Sequence, residues 1–243
     1  MIDFDRYKVL TFDCYGTLID WETGITNVVG PWLVADNSPI PIELVISSFA
    51  IHQSKHQQTR PTLLYPEVMS RTWRDIENTF GWPERPGRAE AFARAVSVWP
   101  TFPDTVESLK YLSQFYKLAI LSNVDNASLQ KSIALLEAPI ATSITAEDVQ
   151  SYKPGLPHFE RAFEKLGDMG IDRNQILHVA QSKHHDIKPG RELGLTTVWV
   201  NRRHGKQGTG ATLATDAEPH LTVNTLAELV ALHKSQSRLE AAS

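Results

Sequence analysis

The sequence predicts an α/β protein whose mostly parallel sheet is wound with helices on both faces and carries a helical insertion. Its 243 residues suffice for one α/β domain with an inserted subdomain. Short apolar runs rich in β-branched residues predict buried strands, and segments of helical spacing lie between them, which favours parallel strands joined by crossover helices. The predicted core strands cover residues 8–12, 117–121, 176–180 and 196–200.

The first predicted strand ends on an acid, Asp13. A carboxylate at the carboxyl end of a buried strand lies where an open α/β sheet forms its ligand crevice. In the turn that follows, Gly16 lets the chain fold back and Thr17 offers a hydroxyl toward the same space. The alternative is that Asp13 merely caps the next helix, a common role for aspartate.

Cys14 is the single cysteine of the sequence, so it forms no internal disulfide, which fits a reducing cytosol. Neighbours along a strand point to opposite sides. If Asp13 faces the crevice, Cys14 faces away from it. We therefore predict that Cys14 packs in the core and is not a nucleophile.

Residues 21–98 carry apolar residues at helical spacing, broken by Pro and Gly. Pro31 falls within the first predicted helix, so that helix either starts or bends there. The predicted helices of this insertion cover residues 27–34, 42–58, 66–81 and 88–97.

After residue 99 the alternation of strands and helices returns. Asp104 is the expected N-cap of a helix over 106–114. Ser122 and Asn123 follow the strand 117–121, where they either face the crevice or simply form a turn. The other predicted helices cover 127–136, 157–166, 188–193 and 225–233, the extended segments cover 141–145 and 219–223, and a frayed tail is expected after 233.

Lys153 stands in the sequence S-Y-K-P-G. Pro154 fixes the backbone after it and Gly155 permits a sharp turn. A cation held against Asp13 would lower the pKa of that carboxylate and keep it ionised. Taken alone, the motif is equally consistent with an exposed loop lysine.

The strand 176–180 is followed by Q-S-K-H-H-D, residues 181–186. His184 and His185 beside Asp186 suggest a transition-metal site. Adjacent residues rarely converge on one ion, and no cysteine or third histidine stands at ligand spacing in the sequence. We therefore predict no zinc site.

Four segments, Asp13, Ser122-Asn123, Lys153 and Asp186, resemble in order the four motifs of the haloacid dehalogenase superfamily. The resemblance implies that Asp13 is the nucleophile. It further implies that Ser122 contacts the substrate carboxylate or helps to orient Asp13, with Asn123 beside it. In the superfamily's dehalogenases the acid at the position of Asp186 pairs with the lysine, and in its phosphatases that acid holds magnesium.

The same resemblance implies a domain division. Residues 1–20 and 99–243 correspond to a Rossmann-like core, and residues 21–98 correspond to a helical cap that closes over the nucleophile.

Tyr15 stands two residues after the expected nucleophile, where the superfamily's phosphatases carry a second aspartate and its 2-haloacid dehalogenases carry tyrosine. A phenol with a pKa near 10 is a poor proton donor at neutral pH, whereas halide leaves without a proton. The resemblance therefore implies hydrolytic dehalogenation of short 2-haloacids through an ester on Asp13, without a cofactor.

The sequence departs from the dehalogenase pattern in two places. Aligned on Asp186, Gln181 and Lys183 stand where those enzymes more often carry Ser and Asn. The cap arginine that holds the substrate carboxylate has no counterpart, and four cap residues are candidates to replace it: His52, Lys55, His56 and Arg60. The expected substrate-binding residues are Tyr15, Thr17, Asn123, Ser182 and Lys183.

Two other functions stay open. The first is a magnesium-dependent phosphatase with Asp13, the Tyr15 carbonyl and Asp186 around the ion, since hard oxygen ligands suit magnesium. The second is a protein that kept the fold and lost turnover.

Composition narrows the partners. A net charge of −4 gives no basic face for nucleic acid. No apolar run is long enough to cross a bilayer and the first residues lack the pattern of a signal peptide, so we expect a cytoplasmic enzyme for a small carboxylate. A homodimer through exposed cap aromatics such as Trp32, Trp73 or Trp82 is a further expectation.

Overall fold

A parallel sheet forms the centre of the computed structural model, which describes residues 2–208 and 210–240 and side chains as far as residue 236. Over those residues the sheet has six strands in the order β3-β2-β1-β4-β5-β6, all parallel. The strands are β1 (Val9–Phe12), β2 (Lys117–Ser122), β3 (Ile140–Thr145), β4 (Ile176–Ala180), β5 (Thr196–Val200) and β6 (Leu221–Val223). The predicted α/β class is confirmed.

Helices cover both faces of the sheet. Side chains that alternate along a strand therefore enter two different apolar clusters, one on each face. Val9 of β1 packs in the cluster of Phe159 and Leu166, whereas Leu10 and Phe12 pack in the larger cluster. The helices are α1 (Trp21–Ala35), α2 (Ile42–Thr59), α3 (Tyr65–Phe80), α4 (Arg88–Ala95), α5 (Thr105–Leu112), α6 (Asn126–Leu136), α7 (Ala146–Val149), α8 (Pro157–Gly167), α9 (Lys188–Glu192) and α10 (Leu226–Glu240).

The order of the strands determines where chemistry can assemble. β1 lies between β2 and β4, so the segments after these three strands emerge side by side. Asp13, Ser122 and Gln181 are therefore brought to one edge of the sheet, which is where ligands bind in this architecture.

Helices α1 to α4 lie between β1 and β2 along the chain, as the helical spacing predicted. The first of them begins at Trp21, six residues before the predicted start, because the side chain of Asp20 caps it by accepting from the Thr23 N–H at 3.1 Å. Pro31 lies inside α1 and does not begin it. The assignment of residues 21–98 to a separate cap domain stays a prediction.

The tryptophans expected to be exposed at a dimer face are buried or partly buried, and a homodimer stays a prediction. Trp73 is fully buried, and the partly buried rings of Trp32 and Trp82 pack against it at centroid distances of 4.9 and 6.2 Å. The three indoles stabilise the interior of the helical insertion. In the part of the chain that is described, no helix combines the length and apolar character that a membrane crossing requires.

Two expectations about the ends of helices are corrected. Asp104 makes no side-chain bond at the start of α5; it pairs with Arg202 at 2.7 Å and accepts from the Ala227 N–H of α10. The last helix does not fray after residue 233 but continues to Glu240, and the rest of the expected tail lies outside the described residues.

A matched pair of glycines in α1 tests the packing of the helical insertion on the core. A Cβ on Gly24 would overlap the buried indole of Trp99, whereas a Cβ on Gly30 meets nothing within 4 Å. We expect Gly24→Ala to lower the free energy of unfolding by about 1–3 kcal/mol through overpacking. Gly30→Ala should raise it by about 0.5–1 kcal/mol through helix propensity. Urea unfolding of both variants checks this, and equal effects would contradict the described packing.

Candidate active site

Lys153 joins two acids at the edge of the sheet. Its Nζ donates to Asp13 Oδ1 at 3.0 Å, to Asp186 Oδ1 at 2.7 Å and to the Leu121 carbonyl at 2.8 Å. All three charged residues are buried, with exposed fractions of 2% for Lys153, 7% for Asp13 and 0% for Asp186. The ammonium thus donates all three of its protons, to acceptors at or after the ends of β1, β2 and β4.

Asp13 is also held from its other side. The Thr17 hydroxyl donates to Asp13 Oδ2 at 2.7 Å and accepts from the Gln181 N–H at 2.9 Å. Thr17 is fully buried. It therefore orients the expected nucleophile, which differs from the substrate-binding role predicted for it.

The two carboxylates on Lys153 differ in their pKa shifts. Burial raises the pKa of Asp13 above its ordinary value of 3.8, the Lys153 charge opposes that rise, and the charge of Asp186 adds to it. Burial also acts to raise the pKa of Asp186, but Lys153 and a hydrogen bond from His178 hold it at about 2. Asp186 is therefore ionised at neutral pH. The folded protein stabilises the ionised form of Asp13 less than that of Asp186.

His178 is a residue of the site that the sequence analysis missed. It lies fully buried in β4, with Nε2 3.2 Å from Asp186 Oδ1 and Nδ1 2.9 Å from Thr11 Oγ1. A tautomer with the proton on Nε2 donates to Asp186 and accepts from Thr11, which satisfies both contacts. The available signal was a histidine in the middle of the apolar strand I-L-H-V-A.

Asn123 holds the loop of Lys153. Its Nδ2 donates to the Lys153 carbonyl at 3.0 Å and its Oδ1 accepts from the Lys153 N–H at 2.7 Å. These paired bonds fix the backbone from which the amine extends.

A small, partly enclosed cavity adjoins Asp13. Its volume is about 30 Å³, room for one or two water molecules. The sheet edge contributes Asp13, Tyr15, Ser122, Asn123, Val124, Lys153, Ser182 and His185, and the helical insertion contributes Trp21, Gln53, Gln57 and Tyr65. Ser122 Oγ is buried at this cavity without a protein hydrogen-bond partner.

His185 is the second site residue that the sequence analysis did not assign, having considered it only as a metal ligand. Its Nδ1 lies 3.1 Å from Ser182 Oγ, which also accepts from the His185 N–H at 2.9 Å. Burial lowers the pKa of His185 to about 3. A neutral imidazole therefore lines the cavity, oriented by Ser182.

Tyr15 directs its hydroxyl away from the chemistry. The phenol lies 2.7 Å from Ser132 Oγ in α6, and the ring packs edge-on against Trp99. Burial raises the pKa of Tyr15 well above 10. Its ring forms part of the cavity wall, and the phenol is not arranged to donate a proton to a leaving group.

Cys14 is fully buried in the apolar core, as predicted.

Lys183 is not brought to Asp13, in contrast to its predicted substrate-binding role. Its Nζ lies 4.5 Å over the Trp199 ring and 3.9 Å from Glu218. It lines a different cavity of about 360 Å³, at the end of β5. Adjacent residues after β4 thus face two separate spaces, Ser182 toward Asp13 and Lys183 away from it.

None of the four candidates for the missing arginine lines the cavity of Asp13. His52 bonds to Thr79 at 2.8 Å and His56 bonds to Asp75 at 2.8 Å, both within the helical insertion. Lys55 and Arg60 are exposed. The residues of α2 that reach the cavity are instead Gln53 and Gln57, one helical turn apart.

The residues at Asp13 do not fit a magnesium ion well. The Lys153 ammonium lies within 3.0 Å of the facing oxygens of both acids, so it occupies the position that a bridging cation would take. Across the described residues, no three His, Cys, Asp or Glu side chains are grouped as metal ligands. We derive no step through a metal.

Comparison with known proteins shows the family of the chain. The model of the haloacid dehalogenase-like hydrolases matches residues 7–194. (S)-2-haloacid dehalogenase 4A from Burkholderia cepacia is 26% identical, over 82% of this chain and 85% of its own. Pyrimidine 5'-nucleotidase YjjG from Escherichia coli (strain K12) is 30% identical, over 61% of this chain and 66% of its own.

A solved structure supports the fold. A dehalogenase with an intermediate complex superposes with a TM-score of 0.79, covering 96% of this chain and 98% of its own. Because the sequence identity is 23%, this match supports the fold alone.

The opposite pKa shifts of the two acids predict opposite effects on stability. Asp13→Asn should raise the free energy of unfolding at pH 7, because the folded protein disfavours the Asp13 charge. This gain should disappear as the pH falls below the pKa of Asp13. Asp186→Asn should lower it by roughly 2 kcal/mol at pH 7, since a pKa of about 2 instead of 3.8 stabilises the fold only while Asp186 is ionised.

Urea unfolding from neutral pH down to about pH 3 measures both variants. The deficit of Asp186→Asn should narrow to roughly half toward the acid end, as wild-type Asp186 approaches its folded pKa. Two variants that shift stability in the same direction at pH 7 would contradict the unequal roles of the acids.

Proposed function

The chain belongs to the haloacid dehalogenase-like hydrolases, and on that premise we propose that it hydrolyses the carbon–halogen bond of a short 2-haloacid, or of a close derivative, through an ester on Asp13. One observation carries the proposal: a buried ammonium bridges two acids beside a small cavity, with Tyr15 where a proton-donating acid would serve a phosphatase. The relative from Burkholderia cepacia is itself a 2-haloacid dehalogenase.

In the first step a carboxylate oxygen of Asp13 attacks the halogen-bearing carbon. The new C–O bond forms as the C–X bond breaks, and halide leaves with the bonding electrons. Contacts of Asp13 with Lys153 and Thr17 fix the carboxylate in position, which supplies the orientation that such a displacement needs. Halide needs no proton, so the buried phenol of Tyr15 is consistent with this step.

In the second step water attacks the carbonyl carbon of the Asp13 ester. The acyl C–O bond breaks and the carboxylate is regenerated. The leaving alkoxide takes up one of the two protons of the attacking water and departs as an alcohol that keeps an Asp13 oxygen, and the other proton passes through His185 to solvent. The Lys153 ammonium and the Thr17 hydroxyl, which contact the two Asp13 oxygens, are arranged to stabilise the developing oxyanion. The neutral imidazole of His185, which lines the cavity, is the proposed acceptor of the water proton.

The phosphatase alternative draws on the nucleotidase relative. It requires a cation where Lys153 Nζ lies and a proton donor where the phenol of Tyr15 is bonded to Ser132. Halide release from chloroacetate in the presence of a chelator, run beside hydrolysis of an aryl phosphate with added magnesium, separates the two activities. Turnover of the phosphate alone would replace the proposal, and silence in both assays would favour a protein without catalytic activity.

A single turnover in heavy-oxygen water tests the ester on Asp13. We expect the label to enter the Asp13 carboxylate and the first product molecule to carry ordinary oxygen, because the product oxygen comes from Asp13. Mass spectrometry of the peptide and of the product measures both. Asp13→Asn is the inactive control. Label in the product of the first turnover would mean direct attack by water.

Replacing His185 tests the second step separately. His185→Asn should release about one halide per enzyme and then slow by roughly 10²–10⁴-fold, the usual contribution of a general base. Intact-protein mass spectrometry should then show the accumulated ester. Ser182→Ala, which removes only the orienting hydroxyl, should slow turnover less. Unchanged steady turnover of His185→Asn would remove His185 from the mechanism.

A further inference from the structure

The cavity of Asp13 carries an excess of negative charge. Asp13 lines it, Asp186 lies behind Lys153, and Lys153 is the one cation among the described lining residues. His185 is neutral at pH 7 because burial lowers its pKa to about 3. Two carboxylates and one ammonium leave a net charge of −1, and because all three side chains are buried their charges are weakly screened.

On the side of the cavity that faces these charged groups, α2 contributes the side-chain amide of Gln57, whose hydrogen-bonding atoms are unpaired. Gln57 is 3% exposed, and neither Oε1 nor Nε2 has a protein partner. Its neighbour Gln53 differs, since Gln53 Oε1 accepts from the Tyr65 hydroxyl at 2.8 Å. Buried polar atoms are seldom left unpaired, so an unpaired donor and acceptor on one side chain indicate a ligand that offers the complementary pair.

Gln57 also stands at the way into the site. It lines both the cavity of Asp13 and a neighbouring opening of about 230 Å³ between α2 and the Lys153 loop. Ser122 Oγ is a second unpaired group on the opposite, sheet side of the cavity. A small molecule that enters beside Gln57 therefore meets a neutral amide first and a hydroxyl beyond it.

We propose that Gln57 and Ser122 bind the end of the substrate that does not react, and that this end is an uncharged primary amide, which makes short 2-haloamides the preferred substrates. The inference rests on the proposed dehalogenation. A primary amide can donate to Gln57 Oε1 while its carbonyl accepts from Gln57 Nε2, so both unpaired atoms are satisfied at once. The reaction itself is unchanged: halide is displaced by Asp13, and water releases a 2-hydroxyamide.

A carboxylate suits this cavity less well on two counts. It has no proton to give Gln57 Oε1, which would face a negatively charged oxygen. It would also raise the net charge of the site from −1 to −2 next to the attacking Asp13, and like charges at such distances repel strongly in a buried site. The cap arginine that would offset this charge has no counterpart at the cavity among the described residues.

The test compares halide release from 2-chloroacetamide and from chloroacetate by the full-length wild-type protein, with the rate of Asp13→Asn subtracted as background. We expect kcat/KM to be at least about 10-fold higher for the amide, the value of one lost hydrogen bond to a neutral partner. A higher kcat/KM for chloroacetate would overturn the proposal and leave the dehalogenase function intact. Halide from neither compound would overturn both.

Two variants of Gln57 identify the residue responsible. Gln57→Leu should lower kcat/KM for the amide mainly through KM, and Gln57→Arg should reverse the preference in favour of chloroacetate, because it adds a cation with a bidentate fork. Gln130→Leu, at an exposed position of α6, should change neither rate. Circular dichroism verifies that each variant is folded. An unaltered amide-to-acid ratio in both folded Gln57 variants would contradict the assignment.

Discussion

The structure of the site depends on the burial of one ammonium group between two carboxylates. An isolated charge in a protein interior is costly, and an ion pair offsets that cost only when its geometry is good and its remaining hydrogen-bonding atoms are satisfied. Lys153 meets the condition with three acceptors at 2.7 to 3.0 Å. Removing Lys153 would leave two buried carboxylates without a cation, so the three residues can only be understood together.

Neutral residues hold each member of this group in place. Thr17 bonds to Asp13, His178 bonds to Asp186, and the side chain of Asn123 bonds twice to the backbone of Lys153. His178 lies in β4, Asn123 directly follows β2, and Thr17 lies in the turn after β1. The twist and register of β1, β2 and β4 therefore transmit directly to the distances between the charged atoms, which is the rigidity that a displacement at carbon requires.

Sharing one cation makes the two acids unequal. Asp186 receives a hydrogen bond from His178 in addition to Lys153, and its pKa falls to about 2. Asp13 receives a hydrogen bond from Thr17 in addition to Lys153, but burial together with the charge of Asp186 outweighs these contacts and raises its pKa. The less stabilised anion is the one next to the cavity, and a carboxylate that is poorly stabilised as an anion gains more by forming a bond to carbon.

How far the sequence predicts this site depends on the element involved. Residues at strand ends were predictable, because parallel strands bring their carboxyl ends together; Asp13 and Ser122 line one cavity. Lys153 follows α7 and was expected there only from the family resemblance. Residues on α2 were not, since successive positions of a helix differ by about 100° in direction and an amphipathic pattern was weak there. His52 and His56 were predicted as candidates because they are ionisable. Each lies one position before a glutamine, and it is the neutral Gln53 and Gln57 that line the cavity.

That outcome follows from a division of labour between the two parts of the cavity. The sheet edge supplies every charged group and therefore determines what bond can be broken. The helical insertion supplies Trp21, Gln53, Gln57 and Tyr65, all uncharged, and therefore determines which molecule can reach the nucleophile. The charged groups at the sheet edge give the cavity a net negative charge, and the uncharged residues of the insertion do not balance it. On the proposed function, changing one of these residues from an amide to a guanidinium would alter the preference for substrate charge and leave the reaction steps unchanged. Selectivity in this fold can therefore change through α2 alone while Lys153 and its two acids stay as they are.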